Sequence, residues 1–209
     1  MDNVAENIQP RLNIFAWRYQ ASVPLKITMA LGMAVVIGLL AQLRLPLAFT
    51  PVPVTGQTFA VLMAGVLLGR KWGAVSLGIY GVLGLIGLPW LTGGVAGFGV
   101  TTGYLLGFVL ATVFIGYMTS RRKVCSFGSL LAVMLFASLV LVYVPGMLWL
   151  GGWFGLVLDK PATLAAVFSS GMLPFIAGDI LKAVFAAGVA WIILPKTTSD
   201  ARTGGVNRS

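Results

Sequence analysis

The chain has 209 residues, of which 58% are hydrophobic and only 9% are charged. Charged residues make up about a quarter of an ordinary soluble domain, so the composition excludes that class and predicts an integral membrane protein. The net charge of +9 does not indicate a nucleic-acid partner, because the basic residues occur in short clusters between apolar runs, as membrane topology requires.

Six apolar segments are candidates for helices that cross the bilayer, for which about 20 residues are needed. They lie at about residues 25–43, 58–68, 73–89, 103–119, 127–150 and 172–194. The runs are continuous rather than alternating, which argues against a β-barrel. The predicted fold class is therefore an all-α integral membrane protein with six transmembrane helices, and residues 161–170 are expected to form a short re-entrant or interfacial helix.

The positions of arginine and lysine predict the orientation. With six crossings, most of the 14 basic residues fall on one face, and the opposite face has only Arg44 and Lys160. The positive-inside rule then places both termini in the cytoplasm. The predicted divisions are a cytoplasmic or interfacial segment 1–24, a six-helix membrane domain 25–195 and a cytoplasmic tail 196–209.

Metal and cofactor chemistry is not expected. The chain has no histidine and a single cysteine, Cys125, so it lacks a His/Cys metal cluster, an internal disulfide and a histidine general base. There is also no carboxylate pair at hydrolase spacing and no serine beside a plausible base. An intramembrane enzyme is therefore disfavoured.

Asp179 and Lys182 are the only charged residues between Pro161 and Pro195. Three positions apart on a helix, they share a face and can be neighbours. Each costs roughly 2.5–3.5 kcal/mol at the centre of a membrane helix, so their retention calls for a reason. One interpretation is a polar ligand-binding site inside the membrane. The other is an ion pair that neutralises itself between packed helices.

Two outer loops supply further polar groups. In the first, prolines at 46, 51 and 53 stiffen the backbone, and the neutral side chains of Thr55, Gln57 and Thr58 follow. The second, residues 87–104, carries five glycines between positions 87 and 99, together with Trp90 and Tyr104. It is either a lid over a pocket or a simple turn, and Trp90 is either an interfacial anchor or a pocket wall.

These loops and the outer part of the sixth span are expected to surround a cavity open to the outside. Its groups suit a small amphipathic molecule that is anionic or zwitterionic and has a hydrogen-bonding head. Lys182 is suited to a ligand carboxylate or carbonyl, and Asp179 to ligand N–H groups. On the first span, Ala30 and Ala34 are small residues four apart, a spacing that allows another membrane protein to dock closely.

An ordered set of motifs resembles BioY, the biotin-specific membrane component. It comprises Pro51-Val-Pro-Val-Thr-Gly-Gln57-Thr58, Gly65-Val-Leu-Leu-Gly69-Arg-Lys-Trp-Gly73, Tyr80-x3-Gly84-x2-Gly87-Leu-Pro89, Thr102-Gly-Tyr-Leu-Leu-Gly-Phe108 and Pro174-Phe-x3-Asp179-x2-Lys182. Each motif alone is ordinary, whereas the ordered set is specific and covers about residues 25–194.

The resemblance implies a substrate-capturing S component of an energy-coupling factor (ECF) transporter in a prokaryotic cytoplasmic membrane. Such a component binds biotin from outside with high affinity, and separate ATPase subunits and a transmembrane coupling subunit provide the transport power. This chain has no Walker motif, in agreement with that division. The resemblance also implies that Asp179 and Lys182 bind the ligand and that Ala30 and Ala34 dock the coupling subunit.

The sequence leaves two alternatives open. An S component for another vitamin would share the architecture and differ only in its pocket residues. A proton-coupled carrier in which Asp179 titrates is less favoured, because two inverted repeats are not apparent.

Overall fold

The computed structural model describes residues 21–90, 99–120, 126–159 and 161–194, which are mostly helical. Seven α-helices lie in these ranges: α1 (Val23–Gln42), α2 (Gln57–Leu85), α3 (Thr102–Ser120), α4 (Phe127–Phe136), α5 (Tyr143–Leu156), α6 (Leu164–Gly171) and α7 (Ile176–Ile193). A π-helical segment, Ala137–Val142, joins α4 to α5, and a 3₁₀ turn, Leu173–Phe175, leads from α6 into α7.

Several predictions concern residues outside these ranges. They include nearly all of the N-terminal segment 1–24, the tail 196–209, Lys160, the basic residues 121–123 and the glycines at 93, 94 and 97 of the second outer loop. Within the described ranges, five helical stretches are long and apolar enough to cross a membrane. They are Val23–Gln42, Gln57–Leu85, Thr102–Ser120, Phe127–Leu156 and Leu164–Ile193.

The second stretch, α2, is not one straight helix. Gly69 in its interior has φ 73° and ψ −176°, a conformation that is essentially reserved for glycine. The side-chain amide of Gln57 donates a 2.9 Å hydrogen bond to the hydroxyl of Tyr80, 23 positions further on. In a continuous helix, with a rise of 1.5 Å per residue, these two residues would lie about 35 Å apart. The two halves of α2 therefore lie antiparallel, side by side.

These halves correspond to the predicted segments 58–68 and 73–89. The second half ends at Leu85 rather than near residue 89, and Gly87 follows with φ 128°. The predicted segment 127–150 is longer in the structure, where the helical path continues through the π-helical segment to Leu156. A short helix was predicted at 161–170 and is present as α6.

Two short strands modify the all-α prediction. β1 (Arg44–Leu45) and β2 (Val54–Thr55) pair antiparallel within the first outer loop, with Arg44 opposite Thr55. At the tip of this loop, the hydroxyl of Thr50 donates a 2.6 Å hydrogen bond to the carbonyl oxygen of Ser170 near the end of α6. The loop is thus closed by a ladder at its base and attached to another helix at its tip.

The protein buries an apolar core and also exposes an apolar surface. Tyr80, Tyr143 and Leu62 are among the largest side chains that are wholly buried. Large apolar side chains such as Leu106 (62% exposed) and Leu148 (74% exposed) point away from the rest of the chain. Extended apolar surfaces of this kind are typical of contact with a membrane.

The predicted docking residues Ala30 and Ala34 are buried within the chain itself, with 0% and 1% of their surface exposed. Both lie on the buried face of α1, the helix that packs on α2. Their small size allows close helix packing inside the protein in this conformation. Docking of a partner at these two residues remains a prediction. Gly32, between them in sequence, lies on the exposed side, where an added Cβ would meet nothing within 4 Å.

Candidate functional site

One cavity collects the residues that the sequence analysis predicted to bind a ligand. It is bounded by the first outer loop, both halves of α2, α3, the start of α5 and α7, and its space is about 850 Å³ including the part open to solvent. All seven predicted residues line it: Thr55, Gln57, Thr58, Trp90, Tyr104, Asp179 and Lys182. Their contact with a ligand remains a prediction, but the fold places them around the same space.

The carboxylate of Asp179 is the most buried charged group of the cavity wall, and each of its oxygens accepts one hydrogen bond. Lys182 Nζ donates to Oδ1 across 2.8 Å, and the hydroxyl of Tyr143 donates to Oδ2. The side chains of Lys182 and Asp179 are 19% and 7% exposed. Because a carboxylate oxygen can accept more than one hydrogen bond, both oxygens retain capacity for a ligand N–H group.

Tyr143 was not identified from the sequence as a site residue. It begins α5 directly after the π-helical segment, and its side chain is 2% exposed. Such segments occur frequently at functional sites. The available signal was a phenolic hydroxyl in the middle of an apolar span, since a buried tyrosine hydroxyl normally has a hydrogen-bond partner.

Tyr104 connects the cavity wall to the C-terminal end of α6. Its hydroxyl donates a 2.7 Å hydrogen bond to the carbonyl oxygen of Gly171, a helix-end carbonyl. Its ring meets that of Tyr143 edge to face, with centroids 6.2 Å apart. Tyr104 therefore faces the cavity with its ring, while its hydroxyl bonds to α6.

Gln57, Tyr80 and Trp90 form a second connected group. The Tyr80 hydroxyl accepts the hydrogen bond from Gln57 and donates its own, at 2.8 Å, to the carbonyl oxygen of Trp90. The rings of Tyr80 and Trp90 are stacked, with centroids 6.2 Å apart and planes 8° from parallel. Tyr80, which the sequence analysis did not assign to the site, therefore positions Trp90 in the cavity wall.

Trp90 is also held from the side of α1. A Cβ added to Gly38 would lie 2.6 Å from Cδ2 of the Trp90 indole, so only glycine allows the ring to approach this closely. Next to this contact, the side-chain amide of Gln42 donates a 3.1 Å hydrogen bond to the carbonyl oxygen of Pro89. The position of Trp90 thus depends on α1 as well as on α2.

The two predicted threonines flank the start of α2. Thr58 is 6% exposed and lies in the cavity wall. The hydroxyl oxygen of Thr55 accepts a 3.4 Å hydrogen bond from the backbone N–H of Gln57. The cavity therefore combines an internal ion pair with hydroxyl and amide groups and aromatic walls, an arrangement suited to binding a small molecule.

Comparison with known proteins gives a consistent result. Residues 16–198 match the family model described as the BioY family. The chain is 40% identical over 142 residues to the probable biotin transporter BioY of Methanothermobacter thermautotrophicus, covering 64% of this chain and 88% of that protein. It is 36% identical over 148 residues to the biotin transporter BioY of Lactococcus lactis subsp. cremoris, covering 67% and 74% of the two chains.

A third relative is the biotin transporter BioY of Rhizobium etli, with 34% identity over 169 residues that cover 76% of this chain and 86% of that protein. Among solved structures, the chain resembles the S-component for biotin from an ECF-type ABC transporter, with a TM-score of 0.67 and 32% identity. That match covers 79% of this chain and 88% of the other. Since the family match spans most of the sequence, the chain belongs to the BioY family.

Proposed function

We propose that this protein binds biotin at the outer face of a prokaryotic cytoplasmic membrane and takes it up as the substrate-specific component of an ECF-type transporter. Its relatives are named biotin transporters, and the solved structure that it resembles is a biotin S-component. The observation that carries the proposal is the cavity in which Asp179, Lys182 and Tyr143 form one bonded cluster within apolar helices.

The chemistry of biotin complements this cavity. Biotin has a neutral ureido ring with two N–H donors and a carbonyl, a fused apolar thioether ring and a chain that ends in a carboxylate. Asp179 accepts N–H groups, and Lys182 donates to a carbonyl or a carboxylate. The aromatic faces of Trp90 and Phe108, both in the cavity wall, are suited to the apolar ring.

The proposed role is transport and not catalysis, and it requires no cofactor of this chain. Energy would come from separate ATPase subunits and a transmembrane coupling subunit, since the sequence has no Walker motif. We place the docking surface for the coupling subunit on the exposed side of α1, to which Gly32 belongs. Ala30 and Ala34 would support that helix from its buried side.

We infer that the predicted membrane domain crosses the lipid bilayer six times with both termini in the cytoplasm. This topology places the two ends of α2 at the same face, as the cavity requires. Thr55 precedes α2 and Trp90 follows it, yet both line the same cavity. If α2 crossed the membrane once, these residues would lie at opposite faces. We therefore propose that its two halves cross separately, with Arg70 and Lys71 at the cytoplasmic turn beside Gly69.

Ligand titration tests the proposed function. Purified protein in detergent or nanodiscs is titrated with biotin, dethiobiotin, thiamine and riboflavin in the absence of ATP. Tight binding that is selective for biotin is expected, because the S component captures the ligand by itself. No biotin binding at micromolar concentration would contradict the proposal. Tight binding of thiamine or riboflavin instead would favour an S component for another vitamin.

A further inference from the structure

Arg44 is the third charged residue in the described cavity wall, and it does not belong to the cluster of Asp179, Lys182 and Tyr143. Its side chain is exposed, whereas Asp179 is buried. The described part of the chain contains two acidic residues, Asp159 and Asp179, and the salt bridge found there joins Asp179 to Lys182. Arg44 therefore contributes a positive charge to the cavity without an acidic partner in that part of the chain.

The charge balance of the cavity follows directly. Asp179 and Lys182 neutralise each other across 2.8 Å, so the buried end of the cavity has no net charge. With Arg44 included, the described residues of the wall carry one uncompensated positive charge, and it lies at the exposed end. The ligand that compensates this charge is a monoanion with its charge at one end and a neutral polar group at the other.

We propose that Arg44 binds the carboxylate of the ligand, while the cluster of Asp179, Lys182 and Tyr143 binds its neutral ureido head. This assignment rests on the proposed biotin function and adds the orientation of the ligand. The head enters first, and the carboxylate stays at the exposed end of the cavity. Arg44 is then the residue that selects acids over their neutral derivatives.

The local backbone suits Arg44 to this role. It lies in β1 directly opposite Thr55 of β2, and Thr55 also lines the cavity. The tip of the same loop is attached to α6 through Thr50 and Ser170, which limits movement of the loop. A guanidinium held on such a loop offers paired N–H donors that match the two oxygens of a carboxylate.

The experiment compares biotin with biotinamide, in which a neutral amide replaces the carboxylate. Dissociation constants for both ligands are measured with the unaltered protein, with Arg44→Gln and with Arg44→Lys. The unaltered protein is expected to prefer biotin by about tenfold or more, as a charge-assisted pair requires. Arg44→Gln should weaken biotin by a similar factor and leave biotinamide within about twofold, and Arg44→Lys should retain part of the preference.

Arg70→Gln is the matched control, because it also removes one exposed arginine charge, but at the turn beside Gly69 and outside the cavity wall. It should leave both affinities unchanged. If Arg44→Gln weakened the binding of biotin and biotinamide equally, or left the preference for biotin unchanged, the role assigned to Arg44 would be overturned. The proposed function would still stand. Failure of the unaltered protein to bind biotin would overturn the proposed function and this assignment with it.

Discussion

The hydroxyl of Tyr80 lies 2.9 Å from the side-chain amide of Gln57, although 23 positions separate the two residues in the chain. The same hydroxyl donates to the carbonyl oxygen of Trp90 at 2.8 Å. Because the chain reverses at Gly69, one hydroxyl joins the beginning of α2 to the loop that follows its end. The helix pair and the aromatic wall of the cavity therefore form one connected unit.

Replacement of Gly69 tests the reversal. In Gly69→Ala, the alanine must adopt φ 73° and ψ −176°, which costs about 1–3 kcal/mol because its Cβ disfavours this conformation. We expect a lower thermal unfolding midpoint in detergent, measured by intrinsic fluorescence. Gly78→Ala is the control, because it lies in the same helix where an added Cβ meets nothing within 4 Å. Equal midpoints for the two variants would contradict the strained reversal.

Cysteine labelling in intact cells tests the number of crossings. With six crossings, the single cysteine, Cys125, lies in the cytoplasm and Asp159 lies outside. A membrane-impermeant maleimide should therefore spare Cys125 and label Asp159→Cys in a Cys125→Ser background. If α2 crossed only once, the two positions would exchange faces, and the labelling pattern would be reversed. Permeabilised cells, in which both positions should react, provide the control.

Neutralisation of the buried pair separates a binding site from a packing element. Lys182→Met leaves Asp179 without its ammonium partner, so we expect lower stability as well as weaker biotin binding. Asp179→Asn should likewise weaken biotin binding while the protein still inserts into the membrane. The double variant should recover much of the stability, because no unpaired charge remains, but should not recover binding. Normal biotin affinity in the double variant would favour the self-neutralising pair instead.

Tyr143→Phe removes the other hydrogen bond to Asp179 and keeps the ring. Loss of a partner from a buried charged group costs about 1–3 kcal/mol, which should appear as a lower unfolding midpoint. Biotin affinity should fall as well, because the carboxylate is no longer held from two sides. Tyr117→Phe, on α3 but outside the cavity wall, is the comparison variant for binding. If Tyr143→Phe retains both properties, the Tyr143–Asp179 bond has no role in the site.

The contact between Gly38 and Trp90 gives a prediction for ligand affinity. In Gly38→Ala, the added methyl would lie 2.6 Å from the indole, so Trp90 must move in the cavity wall. We expect about tenfold weaker biotin binding, equivalent to about 1.4 kcal/mol, and altered tryptophan fluorescence. Gly32→Ala, on the open side of α1, should change neither property. Equal affinity in both variants would show that the indole position does not matter for binding.

The membrane class and the grouping of polar residues around one cavity could be predicted because lipid imposes strong constraints on sequence. Apolar runs must be long, basic residues gather on one side, and an intramembrane charge pair such as Asp179 and Lys182 is too costly to be accidental. Helix ends were less predictable. The apolar sequence continues past the helix ends at Leu85 and Leu156. Composition therefore does not mark where the helical hydrogen bonds stop.

Residues that act through contacts between distant segments could not be predicted. Tyr143 meets Asp179 only because α4 and the π-helical segment, which precede Tyr143, pack against α7, and nothing in these segments encodes that pairing locally. The spacing of Ala30 and Ala34 predicted close helix packing but not which helix would occupy it. In the structure both residues are buried within the chain.

The sequence by itself determined a helical membrane protein, its likeness to one family and seven residues that line a single cavity, since residue type sets the cost of each group in lipid. Only the tertiary structure decided which of those groups contact one another. It paired Tyr143 with Asp179 and Tyr80 with Trp90, and it placed Arg44 in the cavity wall without an acidic partner among the described residues. Hydrogen bonds and ion pairs form across space, so their partners depend on helix packing that no local pattern records.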